Sequence, residues 1–490
     1  MPRCIRFLWL AAVGLACWWG LPAAGALAET STEYSAIFIG GKKVGYEEQT
    51  RLKADDKVTH TITTVMALGR GKVVQKTRTI QTTVETAGGK PLSFRVIETG
   101  QAVKSVDGTI KDGKLTLTLT EAGSTKTAVQ DWPEGAVLHE GAMILMKAKG
   151  LKEGTKYSYK QYAPDALGAW DTEVAVGAAK DVDILGKTER LIEIGTVQTM
   201  AGRARLSATM YVDEQLTVRK AVIPVLGMSL EVVACARALA MGKNDEFNIT
   251  QETLVQCPGP LRDYKQAGSI AYSIKPTGTV RPEFPQTDSQ KVTTAEDGTI
   301  VVTVTPLALP KGQTIPYAGQ DKALLAATQQ ARYLQCEDKK VQELTREALG
   351  DTKDAAVAAK KLEWFVRRYI TAKDLSAPYD SAAQVAQTQR GDCKGHAALL
   401  AAMCRAAGIP AKVAWGIAYR PSIGDRQHVL GGHAWVTARI GGKWVDLDAA
   451  LDGFDAGHIA LGAGDGDPIG FFDVLSTLGN FRIVKVEMGK

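Results

Sequence analysis

Gly391-Asp392-Cys393-Lys394-Gly395-His396 opens the stretch whose reading decides the fold of this 490-residue chain. The stretch runs on through Cys404-Arg405-Ala406-Ala407-Gly408-Ile409-Pro410 and returns as His433-Ala434-Trp435 and Trp444-Val445-Asp446-Leu447-Asp448. Cys393, Ala397, Leu400 and Cys404 recur at helical spacing, which places Cys393 on an inward stripe at the start of a helix. Asp392 is the expected N-cap. Gly408-Ile409-Pro410 stops the helix, because glycine takes positive φ freely and proline cannot continue the ladder. Unpaired N–H groups at a helix start favour negative charge, and so favour a thiolate over a thiol. Cys404, deep in the same stripe, reads as an inert core thiol.

Outward from the helix, His433, Trp435, Thr437 and Arg439 alternate with Ala434, Val436, Ala438 and Ile440 up to Gly441-Gly442. That period belongs to a strand, and a two-glycine loop makes a tight hairpin. Counting back from the loop pairs Ile440 with Lys443, Thr437 with Asp446 and Trp435 with Asp448. Asp448 is then the diagonal, same-face neighbour of His433, about 7–8 Å away at the backbone. Asp446 shares the face but lies about 13 Å along it. The chemistry follows from the order: Cys393 attacks an acyl carbon, His433 moves the proton, and Asp448 fixes the imidazole tautomer.

These motifs resemble the transglutaminase-like superfamily: Gly391-Asp392-Cys393, the helix ending Cys404-Arg405-Ala406-Ala407-Gly408-Ile409-Pro410-Ala411, His433-Ala434-Trp435, and Trp444 followed four positions later by Asp448. The resemblance spans about residues 330 to 450. It implies a papain-like α/β core and a Cys-His-Asp triad on Cys393, His433 and Asp448. One departure is Ala449-Ala450, where many members carry Pro-Thr. The family includes crosslinkers, peptidases, other amidases and members without a triad, so the resemblance bears on thiol-acyl chemistry more than on substrate. No cofactor is expected.

Other candidates read as local structure. His396 permits a Cys-x-x-His metal set with His433, but no Cys-x-x-Cys or His-Glu-x-x-His spacing supports a metal, and none is expected. His396 instead lines or abuts the site. His428 falls in residues 421–432, which carry Gly424, Gly431 and Gly432 and read as a surface connection. Asp452, Asp455, Asp465 and Asp467 lack an EF-hand spacing and read as a solvated acidic loop.

The amino terminus sets the expected compartment. Arg3 and Arg6 precede an apolar run from Phe7 to about Leu21, and Ala26-Leu27-Ala28 is a small-residue cleavage signal. Residues 1–28 therefore read as a secretory leader cut after Ala28, with the remainder secreted or periplasmic. Gly14-Leu15-Ala16-Cys17 is a poor lipoprotein box, since Gly14 occupies its apolar position. The leader is too short to span a bilayer, and no later segment is long and apolar enough to do so. Without Arg3 and Arg6 the charge is only mildly positive, which argues against nucleic-acid binding. Five cysteines remain, an odd number in a compartment that permits disulfides. Cys393 is the expected free thiol, Cys235–Cys257 the first expected bridge, and Cys336–Cys404 an alternative to two reduced core thiols.

From Tyr34 to about Cys235 alternating runs such as Leu115, Leu117 and Leu119 give antiparallel β structure, with turns expected at Gly40-Gly41, Gly88-Gly89 and Asp107-Gly108. The many strands and the end-run 211–232 resemble curved half-barrels of the periplasmic lipoprotein-carrier type, and a sandwich fits the alternation equally well. Prolines from Pro258 to Pro316 mark a connecting region with a small β segment over 299–305. Ala358, Leu362, Phe365, Val366 and Tyr369 then mark an amphipathic helix, and Ser381 caps a short one. The expected fold class is α+β multidomain: leader 1–28, antiparallel β-rich domain 29–255, Pro-rich linker 256–325, and transglutaminase-like catalytic domain 326–490. The expected function is an extracytoplasmic cysteine acyl-transfer enzyme acting on peptide or amide bonds of a protein or peptide substrate. Hydrolysis is favoured over amine crosslinking, because water is the default acceptor unless the pocket excludes it. The alternative is a non-catalytic binding or envelope-assembly module that works through an envelope partner of its β domain.

Overall fold

The structure, a computed structural model, describes residues 29–489 other than 71–72, 101–102, 122–123, 201–203, 226–227, 278–281, 373–380 and 467–476. The expected leader and Asp467 lie outside the described residues. The chain divides into two compact units, one ending at Phe247 and the other running Asn248–Lys490.

In the first unit, 15 described strands form one sheet, antiparallel except at its last pair. The first strand, Glu29–Ile39, pairs with its sequence neighbour Lys42–Ala54 and with the last strand, Met228–Ala234. The sheet therefore grows outward from its two chain ends, to Ser124–Asp131 at one edge and Ala136–Val137 at the other. Helix His139–Lys149 touches Lys57–Arg70 and Val73–Thr86 from one half and Lys156–Ala163 from the other, so the sheet curls around it. Leu138 at the N-cap of that helix offers no side-chain acceptor. Glu85 supplies one from the facing strand, accepting Glu140 N–H at 2.6 Å and Gly141 N–H at 3.0 Å. The expected turn at Asp107-Gly108 is instead part of strand Lys104–Lys111. Gly108 lies against the Phe94 ring, where a Cβ would come within 2.2 Å, so its small size serves packing.

Among the described residues, the second unit holds a 5-stranded and a 4-stranded sheet with the helices. Helices Lys339–Leu349, Ala355–Tyr369 and Ala382–Thr388 surround Cys393–Ala406, which lies against strands Ala411–Ile423 and Arg426–Ile440. The central helix is buried on every side from Lys394 to Arg405, so the inward stripe read from spacing is only part of its contact surface. Ser381 caps its helix in a reciprocal box with Gln384. The Pro-rich stretch 256–325 packs inside this unit. Its strands Ser269–Pro276, Gln290–Thr294 and Ile300–Val304 join Phe481–Gly489 in the four-stranded sheet. Gln290 joins the two sheets, donating to Ala460 O at 3.0 Å and accepting from Ala460 N at 2.8 Å.

All five described cysteines are free thiols. The expected Cys235–Cys257 bridge is not formed. The two belong to different units, with Cys235 N–H bonded to Tyr34 O and Cys257 N–H to His428 O, each within its own unit. Cys336 and Cys404 are both buried and unbridged.

Candidate active site

Cys393 begins its helix as the spacing requires. The Asp392 side chain accepts Lys394 N–H at 2.9 Å and Gly395 N–H at 3.4 Å, and it also pairs with the Lys394 ammonium. The helix ends at Ala406, and Gly408 takes φ +73°. Cys393 is half-buried, whereas Cys404 on the same helix is fully buried.

The hairpin has the two-glycine loop. Ile440 pairs with Lys443 and Thr437 with Asp446, and Gly441 and Gly442 both have positive φ. Its first strand is longer than expected, running Arg426–Ile440 and joined to Ala411–Ile423 in a second hairpin. Residues 426–432 are thus strand, where a surface connection was expected. Glycine hides this from pattern reading: Gly431 leaves room for Ile423, whose side chain a Cβ would meet at 2.9 Å. His428 lies along this ribbon, near Tyr419 Oη at 3.3 Å.

Asp448 sits one residue past strand Lys443–Leu447, and its carboxylate is held on both oxygens. Oδ1 accepts Ala450 N–H at 2.7 Å and Leu451 N–H at 3.2 Å, a turn that Ala449-Ala450 forms without the Pro-Thr of the resemblance. Oδ2 lies 2.7 Å from His433 Nε2. The Asp448 N–H is bound by Glu363 Oε1 at 2.8 Å. With Nε2 turned to Asp448, the other imidazole nitrogen is left for Cys393, whose side chain is hydrogen-bonded to His433.

A second histidine shares the carboxylate. His458 Nε2 lies 3.1 Å from the same Asp448 Oδ2, and its Nδ1 lies 3.0 Å from Asp455 Oδ1. His458 and Asp448 are almost wholly buried. Neither His458 nor Glu363 stands out in the sequence. The only local sign of the first is the Asp455-x-x-His458 spacing, and Glu363 looks like any helical glutamate.

Electrostatics couple these groups. Burial alone would raise the Cys393 pKa, and the Asp392 charge raises it further; the hydrogen bond and charge of His433, with Lys394, bring it net down. The thiolate is therefore favoured by the imidazolium and by Lys394, while the Asp392 cap opposes it. Burial lowers the His433 pKa, but the Asp448 charge and bond, then Cys393, raise it to about 10. Asp448 is held well below the carboxylate range: burial pushes it up, but His433 and then His458 outweigh that. Cys404, with burial dominant, is pushed up to about 12. The buried groups titrate as a set rather than singly.

His433, Asp448 and His458 each offer one ligand atom, all within 4.8 Å of one another. The same atoms bond to each other, so a metal ion would have to displace two hydrogen bonds and two protons. His396 stands apart from this set, with Nδ1 2.8 Å from Asp392 O in its own helix. Of the acidic residues read as a solvated loop, Asp452 and Asp465 are exposed and ion-paired, Asp452 with Lys265 and Arg367 and Asp465 with Arg405, whereas Asp455 is buried against His458.

Residues 342–449 match the transglutaminase-like superfamily. The region around Cys393 is transglutaminase-like. This transglutaminase-like region contains Cys393, His433 and Asp448, while His458 lies just beyond the matched span. Solved structures similar to parts of the chain include a candidate cysteine protease from Cytophaga hutchinsonii, 17% identical with TM-score 0.28, over 46% of this chain and 83% of that one. A β-barrel-like protein of a domain of unknown function from Brucella abortus is 15% identical with TM-score 0.32, over 42% of this chain and 94% of that one. A candidate protease from Parabacteroides distasonis is 11% identical with TM-score 0.18, over 72% and 68%. At such scores these likenesses carry no weight on the chemistry. No curated protein matches the chain.

Proposed function

We propose that the chain is a cysteine acyl-transfer enzyme acting on peptide or amide bonds through Cys393, His433 and Asp448. The observation that carries this reading is the buried contact of Asp448 Oδ2 with His433 Nε2 at 2.7 Å, with the Cys393 side chain hydrogen-bonded to the same imidazole. In the first half-reaction the Cys393 thiolate attacks the carbonyl carbon and forms a C–S bond. His433 then gives its proton to the departing amine as the C–N bond breaks, leaving a thioester and neutral imidazole. In the second half, His433 takes a proton from the acceptor, the acceptor oxygen or nitrogen attacks the thioester, and Cys393 leaves as thiolate beside the restored imidazolium. Asp448 holds the ring in one tautomer and stabilises its cation throughout.

Water is the preferred acceptor, because Cys393 is half-buried rather than sealed from solvent. A protein or peptide is the proposed substrate. The proposed setting is extracytoplasmic, following the leader read over residues 1–28; among the described residues no helix is long and apolar enough to cross a membrane. The curled sheet of the first unit is proposed as the surface for an envelope partner. The test is incubation of the chain and its Cys393→Ala variant with a peptide library and a labelled primary amine. New amino termini made by the parent alone support hydrolysis. Incorporation of the amine at glutamine supports crosslinking. Neither product at any level above the variant contradicts the enzyme reading and favours a binding module.

A further inference from the structure

The carboxylate that orients His433 has a second imidazole on the same oxygen, an arrangement the proposed chemistry does not call on. His458 Nε2 lies 3.1 Å from Asp448 Oδ2, while its Nδ1 lies 3.0 Å from Asp455 Oδ1, 3.1 Å from Asp455 O and 3.4 Å from Asp455 N, and the side chain is buried between the two carboxylates. A neutral imidazole carries one N–H and could donate to only one of them; the imidazolium donates to both. Burial opposes that charge, but the bonds to Asp448 and then Asp455 prevail, and the His458 pKa is raised.

The surroundings are consistent with a cation held in place. Asp448 and Asp455 face it from the loop after strand Lys443–Leu447, His433 faces it from Arg426–Ile440 with ring centroids 5.5 Å apart, and Asp446 acts on it from Lys443–Leu447. Tyr264 and Tyr272 lie beyond Asp455 and interact with it electrostatically. Trp435 and Phe454 close the remaining sides of the His458 ring, at 5.3 and 4.8 Å between centroids. Asp455 is itself fixed by Gly457 N–H at 2.8 Å.

We propose that His458 is a positioning residue of the site, an imidazolium that pins Asp448 from behind and sets the alkaline limit of the Cys393–His433 ion pair. It acts through Asp448 and touches no reacting atom. Two cations share one carboxylate, so each weakens the hold of that carboxylate on the other. Removing the His458 charge therefore strengthens the grip of Asp448 on the His433 imidazolium, by the reciprocity of coupled sites. A like charge 5.5 Å away at an effective dielectric of about 20 corresponds to about 2 pH units.

This inference rests on the reading of Cys393 and His433 as a reactive pair, and the experiment separates the two. The rate of iodoacetamide alkylation at Cys393, read by peptide mass, is followed against pH for the full chain, His458→Gln and Asp455→Asn. Thermal melts accompany each variant. The parent is expected to show a first rise well below the ordinary thiol range, as the ion pair forms, and a second when the imidazolium loses its proton. His458→Gln keeps an N–H donor for Asp448 but no charge, and it should move the second rise up by about 2 pH units. Asp455→Asn leaves both histidines in place, weakens the His458 cation and should move it in the same direction by less. A parent profile with that low first rise, on which both folded variants superimpose, overturns the role of His458 and leaves the enzyme reading standing. A parent profile with a single rise at the ordinary thiol position overturns both.

Discussion

Asp446 and Asp448, two residues apart at the end of one strand, serve separate networks. Asp446 accepts Trp435 Nε1–H at 3.0 Å and the Ser289 hydroxyl, whereas Asp448 holds two imidazoles on one oxygen. The first network fastens the 256–325 stretch to the hairpin, and the second faces Cys393. Asp448→Asn should lower the rate of Cys393 acylation by about 10³–10⁴-fold, because an amide can present its N–H to Nε2 and favour the wrong tautomer. Asp446→Asn should leave that rate near the parent's while costing about 1–3 kcal/mol of stability through a poorly matched buried acceptor. Acylation kinetics and urea unfolding of the pair check both statements.

Glu363 reaches across from helix Ala355–Tyr369 to take the Asp448 N–H at 2.8 Å, and it is buried. Glu363→Ala should leave that N–H unsatisfied, lower stability by about 1–3 kcal/mol and slow acylation by loosening the carboxylate. Glu363→Gln, which keeps an acceptor oxygen, should recover most of both, as urea midpoints and acylation rates would show.

The two glycines of the hairpin are not equivalent. A Cβ on Gly441 would stand 2.3 Å from Pro310 Cβ, whereas one on Gly442 meets nothing, although both residues have positive φ. Gly442→Ala should cost about 1 kcal/mol, and Gly441→Ala distinctly more, because it adds a clash with the 256–325 stretch to the backbone strain. Unfolding midpoints of the two variants measure the difference.

In the first unit Glu47 and Glu85 are both pushed up to about 7, burial being the dominant cause for each. Between about 4.5 and 7 the folded state holds protons that the unfolded chain has released, so this contribution is full below about 4.5 and lost as pH rises through 7. Glu47→Gln should therefore flatten the fall in melting temperature across that window relative to the parent. A parallel fall in both proteins contradicts the assignment.

Much of the second unit was legible because its signals are local. Asp392 before Cys393, Gly408-Ile409-Pro410 after the helix and Gly441-Gly442 between alternating strands each fix a cap, a stop or a register from a few residues, and the Thr437–Asp446 pairing follows from that count. What escaped depends on contacts distant in sequence. Gly108 reads as a turn until Phe94 is seen against it, and 426–432 reads as a loop until it pairs with Ala411–Ile423. His458 carries no spacing to a known motif, and its importance arises only where the fold sets it beside Asp448.

The most direct measurement of the central claim is intact-protein and peptide mass analysis after incubation with an activated acyl-amide probe. A single acyl adduct should form on Cys393, be absent from Cys393→Ala, and form far more slowly in His433→Ala, with Cys336 and Cys404 unmodified. A parent chain that acquires no adduct on Cys393, or acquires it equally fast without His433, would contradict the account.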